Sequence, residues 1–303
     1  NYLDEADSFK FSEYKREEEI ETPTEENDYK TLADSVIEQE KHVWEFVQFH
    51  SSYCYEDFVK GLVAIDTGAG VSFEPQDKIF LQLCKTAEAV KDKQEKENVS
   101  REDRINFYLI IDEINRADLS KVMGELIYSL EKDKRNQPVA CQYGGDIVVP
   151  DNLYIIATMN SADRSIALVD YAIRRRFSFI HVPASREAIE KFYKDEDQHQ
   201  GDAEFASVLG EKCTQLFDAV AKENLFSDKS EMADIQVGHS YFIEKGHDSK
   251  DEWAEALAHK FAFGVVPLMQ EYIKEERMDL GYCKEIDNGE KRLTLFGDNG
   301  RLA

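Results

Sequence analysis

Four short stretches of the chain are predominantly apolar: Val43 to Phe49, Phe107 to Ile111, Leu153 to Thr158 and Phe177 to Val182. They are rich in β-branched and aromatic residues, and runs of this length predict strands buried on both faces, as in a parallel sheet covered by helices. Between them the spacing changes to that of a helix. Leu119, Val122, Met123, Leu126, Ile127 and Leu130 recur at three and four residues and predict one amphipathic helix, with Asp118 placed to cap its start. A second helix is expected from about Asp77 to Lys91, with Ile79, Phe80, Leu83, Cys84 and Ala87 turned inward. Strand and helix in alternation make an α/β sheet. Val139 to Tyr143, Gly144-Gly145 and Asp146 to Val149 read as an inserted β-hairpin with a two-residue glycine turn.

After Pro183 the strand signal stops. Phe205, Val208, Leu209, Leu216, Phe217 and Val220 outline one helix; Trp253, Leu257 and Phe261 begin another, ended or kinked near Pro267. Arg292 to Phe296 forms a candidate terminal strand. The resulting division is an acidic segment over 1–42, a large α/β subdomain over 43–183, a helical subdomain over 184–285 and a tail over 286–303. Residues 1–41 hold 14 acidic and 5 basic residues, little apolar periodicity and a break at Thr22-Pro23-Thr24. They are expected to form an acidic surface insertion or flexible arm.

Charge narrows the function. With 37 Lys+Arg and 62 Asp+Glu the net charge is −25, which repels phosphate backbones and argues against a broad nucleic-acid face. No apolar run is long enough to span a membrane, and Asn1 to Asp28 is polar and acidic rather than a leader. Five dispersed cysteines without a CxxC pair, and seven histidines without HxxxH spacing, speak against disulfides and zinc. A cytoplasmic setting is expected.

The chemistry concentrates in three blocks. Phe107 to Ile111 delivers adjacent carboxylates, Asp112 and Glu113, to a strand's C-terminal end, where open α/β sheets bind ligands. In a phosphate-hydrolysing site the first holds Mg²⁺ and the second polarises the attacking water. The Leu153 strand ends in Met159-Asn160, where an uncharged amide can hydrogen-bond both water and a terminal phosphate; alternatively Asn160 simply caps a turn. Arg174-Arg175-Arg176 stands out in an acidic chain. It either favours a helix C-terminus or reaches a neighbouring subunit's phosphate as an arginine finger.

Together Asp112-Glu113-Ile114-Asn115-Arg116-Ala117, Met159-Asn160-Ser161-Ala162-Asp163-Arg164-Ser165 and Asp170-Tyr171-Ala172-Ile173-Arg174-Arg175-Arg176-Phe177 resemble the AAA+ motor of McrB-type restriction systems. Val47 to Phe58, Gly238-His239-Ser240-Tyr241-Phe242 and Pro267 to Tyr272 extend the resemblance over roughly 43–277. It implies an AAA+ P-loop NTPase-like parallel sheet with helices on both faces, followed by a helical lid. It also implies hydrolysis of ATP or GTP with Mg²⁺ and a homo-oligomeric ring, expected to be a hexamer. A McrC-like nuclease partner is implied as well, with DNA contacted through another domain or partner. Carried over by residue, Asp112 is the metal holder and Glu113 the catalytic base. Asn160 is the sensor, with Asp163 and Arg164 its extended signature, and Arg175 and Arg176 act across the subunit boundary. His239 and Ser240 fall where the lid approaches nucleotide, without the arginine many AAA+ proteins place there.

One element of that family is absent from these 303 residues. No GxxxxGK[ST] loop occurs, and the dipeptide Gly-Lys is missing altogether; Gly68-Ala69-Gly70 reads as an exposed loop. Such a loop provides backbone N–H donors, a lysine and a hydroxyl ligand for the metal. The expectation is therefore a piece of a longer polypeptide, or a chain that needs a partner's cradle, binding nucleotide poorly alone. A MoxR-like remodelling ATPase and a non-hydrolysing ring subunit are the alternatives.

Overall fold

In a computed structural model the described residues are 8–20, 22–39, 41–160, 162, 169–195, 203–222, 225–228, 232–244, 250–279, 285–287 and 292–294. The chain divides into two compact units, Asn1–Phe179 and Ile180–Ala303. A four-stranded, all-parallel sheet forms the first. Its order is β1 (Ser8–Lys10), β2 (His42–Gln48), β5 (Phe107–Asp112) and β8 (Leu153–Ala157). Three of the four long apolar runs thus become adjacent strands. Val43, Phe107, Leu109, Ile111 and Leu153 are buried on one face. They join a core with Phe80, Leu83, Cys84, Ala87 and Val90 of α4 (Ile79–Lys96), the helix expected from about Asp77.

The acidic N-terminal segment corrects the expected surface arm. α1 (Phe11–Glu17) and α2 (Glu26–Gln39) bury Phe11, Tyr14, Leu32, Ala33 and Val36 in the same core, and β1 extends the sheet. Tyr29, Leu32, Ala33 and Val36 are spaced by three, one and three residues, an inward stripe that the surrounding acids conceal. Tyr29 Oη donates to buried Asp77 Oδ2 at 2.6 Å, tying α2 to the start of α4.

Two further expectations are corrected. The Leu119–Leu130 stripe forms two short helices, α5 (Leu119–Met123) and α6 (Leu126–Ser129), because Gly124 interrupts it at φ 47° and ψ −125°. A Cβ at Gly124 would meet the Tyr55 ring at 3.3 Å. Gly124→Ala is expected to cost about 1–3 kcal/mol of stability, readable as a lower midpoint in urea; an unchanged midpoint would contradict the strained turn. The fourth apolar run, Phe177–Val182, forms no strand, and Ile180 and Val182 are 85% and 80% exposed. A strand needs a partner's backbone groups. Among the described residues no strand pairs with this run. α7 (Tyr171–Arg174) precedes this run.

Two hairpins project from the unit. β3 (Lys60–Asp66) pairs antiparallel with β4 (Val71–Asp77), following the short helix α3 (Tyr55–Phe58), and carries Gly68 and Gly70 at its exposed tip. β6 (Val139–Ala140) pairs with β7 (Asp146–Ile147) around a five-residue turn in place of the expected two. Its base is strapped down by Tyr55 Oη and the Gln142 N–H, which both donate to Glu125 Oε1 at 2.5 and 2.9 Å. Tyr143 Oη donates to Glu56 Oε1 at 2.5 Å, and Lys60 Nζ to the Gly144 carbonyl at 2.8 Å.

The second unit is mainly helical, with α8 (Arg186–Lys194), α9 (Ala203–Val220), α10 (Met232–Ile235), α11 (Lys250–Lys260) and α12 (Val266–Lys274). A π-turn over Phe261–Val265 joins the last two and ends two residues before Pro267, whose ring nitrogen cannot donate to the preceding turn. β9 (Glu285–Asp287) and β10 (Arg292–Thr294) form a small antiparallel pair.

Candidate active site

Alternation along the strands decides which side chains meet at the C-terminal edge of the sheet. Gln48 is in register with Asp112, and Ile111 with Ala157, so Thr158 follows opposite Asp112 on the other side. Gln48, Asp112 and Thr158 therefore project from the same face, which also carries Phe46, Tyr154 and Ile156, each 46–48% exposed. Both oxygens of Asp112 are held from the flanking strands. Thr158 Oγ1 donates to Oδ1 at 2.5 Å, and Gln48 Nε2 donates to Oδ2 at 3.2 Å.

At Glu113 the backbone turns sharply, with φ 54° and ψ 45°, the left-handed region that costs a non-glycine residue about 1–2 kcal/mol. The turn is fixed from β8: Glu113 N–H donates to Thr158 Oγ1 at 3.3 Å, and Ile114 N–H to the Thr158 carbonyl at 2.9 Å. A 3₁₀ turn follows over Ile114–Arg116. Glu113 Oε2 is buried 3.2 Å from Arg116 Nε, an ion-pair distance without hydrogen-bond alignment, and has no hydrogen-bond donor among the described residues. Buried Asn115 links the two strand ends by donating Nδ2 to the Asn160 carbonyl at 3.2 Å.

Asn160 is exposed. Its Oδ1 accepts from Ala162 N–H at 2.9 Å, the turn-capping arrangement, which leaves Nδ2 without a partner among the described residues. One side chain thus closes a local turn and still offers a donor. Asp163 and Arg164 lie outside the described residues. The three arginines separate in the structure. Arg176 donates to Glu131 and to the Ala172 carbonyl within its own unit. The Arg174 guanidinium stacks on Phe179 at 5.4 Å. Arg175 is exposed and pairs with no acid among the described residues.

His239 and Ser240 belong to the second unit, in a 3₁₀ turn over His239–Phe242. His239 Nδ1 accepts from Ser185 N–H at 3.2 Å. Lys260 Nζ donates to the Ile243 carbonyl at 2.5 Å and sits 2.8 Å from Glu244 Oε2, closing the end of the same turn.

Near the first unit's hairpins, burial pushes Tyr53 up to about 12. Burial, aided by bonds to Cys141 and Glu125, raises Tyr55 well above its ordinary range. Burial and the neighbouring Asp57 and Glu56 push the Cys54 thiol up to about 11, so it is protonated at neutral pH and unsuited to nucleophilic work. These groups are held in the packing of the first unit.

The oxygen-rich strand end suits Mg²⁺, which takes one or two protein carboxylates and draws its remaining ligands from phosphates and water. Asp112 would hold it, with Gln48 and Thr158 orienting the carboxylate. When bound, the ion neutralises charge on the phosphates.

Comparison with known proteins identifies the family. Residues 31–177 match the AAA domain (dynein-related subfamily). The chain is 36% identical over 239 residues to the type IV methyl-directed restriction enzyme EcoKMcrB subunit of Escherichia coli K12, covering 76% of this chain and 47% of that protein. The chain belongs to the McrB-type AAA+ family. A second relative is the type II restriction enzyme BsuMI component YdiS of Bacillus subtilis 168, 35% identical over 109 residues, 30% of each chain. This McrB-type chain thus spans 47% and 30% of the lengths of these two relatives. Its sheet is of the AAA+ P-loop type, and among the described residues no helix is long and apolar enough to cross a membrane.

Proposed function

We propose that this McrB-type chain is the motor portion of a modification-dependent DNA restriction system, hydrolysing ATP or GTP with Mg²⁺ in a homo-oligomeric, hexameric ring. The gathering of Asp112, Glu113 and Asn160 at the C-terminal ends of β5 and β8 is the observation that carries this reading. Asp112 anchors the metal. Glu113, on its left-handed turn at the end of β5, polarises the attacking water. Asn160 Nδ2 orients that water or the terminal phosphate. Arg175 of a neighbouring subunit neutralises charge developing on the transferred phosphoryl group; Arg176, already paired with Glu131, maintains the finger's base. Asp163, Arg164, His239 and Ser240 are proposed as further nucleotide contacts.

A restriction role is supported by the two relatives, both components of restriction enzymes. In this reading a McrC-like nuclease subunit cuts the DNA, and another domain or partner grips it, since a net charge of −25 disfavours that task here.

The phosphate cradle comes from outside these 303 residues. Tyr154 and Ile156 on β8, and Phe46 on β2, leave an apolar sheet face half exposed where α/β sheets are ordinarily covered. A strand and helix flanking a GxxxxGK[ST] loop would supply both cover and cradle. Residues 1–303 alone are expected to show no micromolar affinity for ATP or GTP by calorimetry, and to gain it when joined to such a segment. Micromolar binding by the isolated chain would overturn this assignment.

A further inference from the structure

We infer that Thr158 is a positioning residue for hydrolysis, setting the metal-holding carboxylate and the catalytic base through a single hydroxyl. This rests on the nucleotide-hydrolysing reading above. Thr158 Oγ1 donates its proton to Asp112 Oδ1 at 2.5 Å and accepts from the Glu113 N–H at 3.3 Å. Its backbone completes the grip: Thr158 N–H donates to the Ile111 carbonyl and Ile114 N–H donates to the Thr158 carbonyl, both at 2.9 Å. Four hydrogen bonds from one residue thus bracket residues 111–114.

The two side-chain bonds do different things. A carboxylate on a single bond rotates, and its rotation spreads the position of any cation it holds; the bond from Thr158, opposed by Gln48 on Oδ2, fixes the carboxylate plane. The bond from Glu113 N–H holds a peptide in a region that a residue with a Cβ avoids. Relaxation of that turn would swing the Glu113 carboxylate away from the strand end. Because the hydroxyl has one proton, its donation to Asp112 leaves the lone pairs for Glu113, so the two contacts are compatible and directional. Outer groups that orient metal ligands typically change metal affinity or activity by about 10- to 100-fold when removed.

The test uses the complete protein carrying its phosphate loop, with Mn²⁺ as the spectroscopic stand-in for Mg²⁺ and a non-hydrolysable triphosphate. In Thr158→Val, which keeps the shape and loses the hydroxyl, Mn²⁺ affinity read by electron paramagnetic resonance is expected to fall about 10- to 100-fold. Turnover should fall with it, while Thr158→Ser should restore both. Wild-type Mn²⁺ affinity and turnover in Thr158→Val would overturn the inference, as would a Thr158→Ser variant as impaired as Thr158→Val. Should Thr158→Val fail to fold, the structure of the wild-type protein with Mg²⁺ and the same triphosphate decides. Thr158 Oγ1 must remain in hydrogen-bond reach of Asp112, and separation of the two overturns the inference. If the wild-type protein itself neither binds nor hydrolyses nucleotide, it is the underlying reading that fails.

Discussion

Replacing Glu113 by Gln in the complete protein is expected to lower nucleotide turnover by about 10²- to 10⁴-fold, the usual contribution of a positioned general base, while nucleotide stays bound. The substitution keeps the side chain's length and removes its negative charge, and with it the capacity to take a proton from water and the ion pair with Arg116. It leaves the left-handed turn untouched, because that turn is held by backbone and Thr158 contacts rather than by the Glu113 carboxylate. Asp112 also keeps both of its neighbours. A steady-state assay paired with a filter-binding measurement separates the outcomes. Lost turnover with retained nucleotide is the expected result. Unimpaired turnover would remove Glu113 from its role, and lost binding would recast it as a ligand.

The second large effect is expected at Arg175. An arginine that neutralises the transferred phosphoryl group contributes about 10³- to 10⁵-fold to turnover, so Arg175→Ala should be nearly inactive with little loss of nucleotide affinity. Arg176→Ala should differ in kind. Its guanidinium is bound to Glu131 and to the Ala172 carbonyl, so its removal leaves an acid without its partner and should lower thermal stability. If Arg176→Ala kept full stability and lost turnover as severely as Arg175→Ala, the distinction between the two residues would be wrong.

This distinction shows what the sequence holds and where it falls silent. Adjacent arginines are chemically identical in a sequence; only the direction of each side chain separates one paired with Glu131 from one facing solvent. Thr158 was hidden for a similar reason. A threonine closing an apolar run reads as an ordinary strand former, and its contacts to Asp112 and Glu113 depend on β5 and β8 being neighbours in one register. By contrast the positions of Asp112, Glu113 and Asn160 at strand ends, which make them the proposed site, were legible because an apolar run followed by a carboxylate or amide marks such an end.

The fold divides along the same line. β2, β5 and β8 were readable since the strands of a parallel sheet are predominantly apolar. Phe177–Val182 has that composition too, yet composition cannot provide a partner strand, and the segment stays unpaired. The N-terminal helices were obscured in the opposite sense. Acidic residues on the outer surface of α1 and α2 dominate a count of charges, whereas four well-spaced apolar positions decide that α2 is buried. Gly124 was visible as a letter, but its effect depends on the Tyr55 ring lying against it.

The claim on which the account turns is that each site is completed by two subunits, with Glu113 from one and Arg175 from the other. Mixing the Glu113→Gln and Arg175→Ala proteins, each inactive alone, measures this directly. Where subunits of the two kinds adjoin, an intact Glu113 meets an intact Arg175, so turnover is predicted to return in the mixture in proportion to such junctions. A mixture that forms rings yet remains as inactive as its parents would show that the two groups do not act across a subunit boundary.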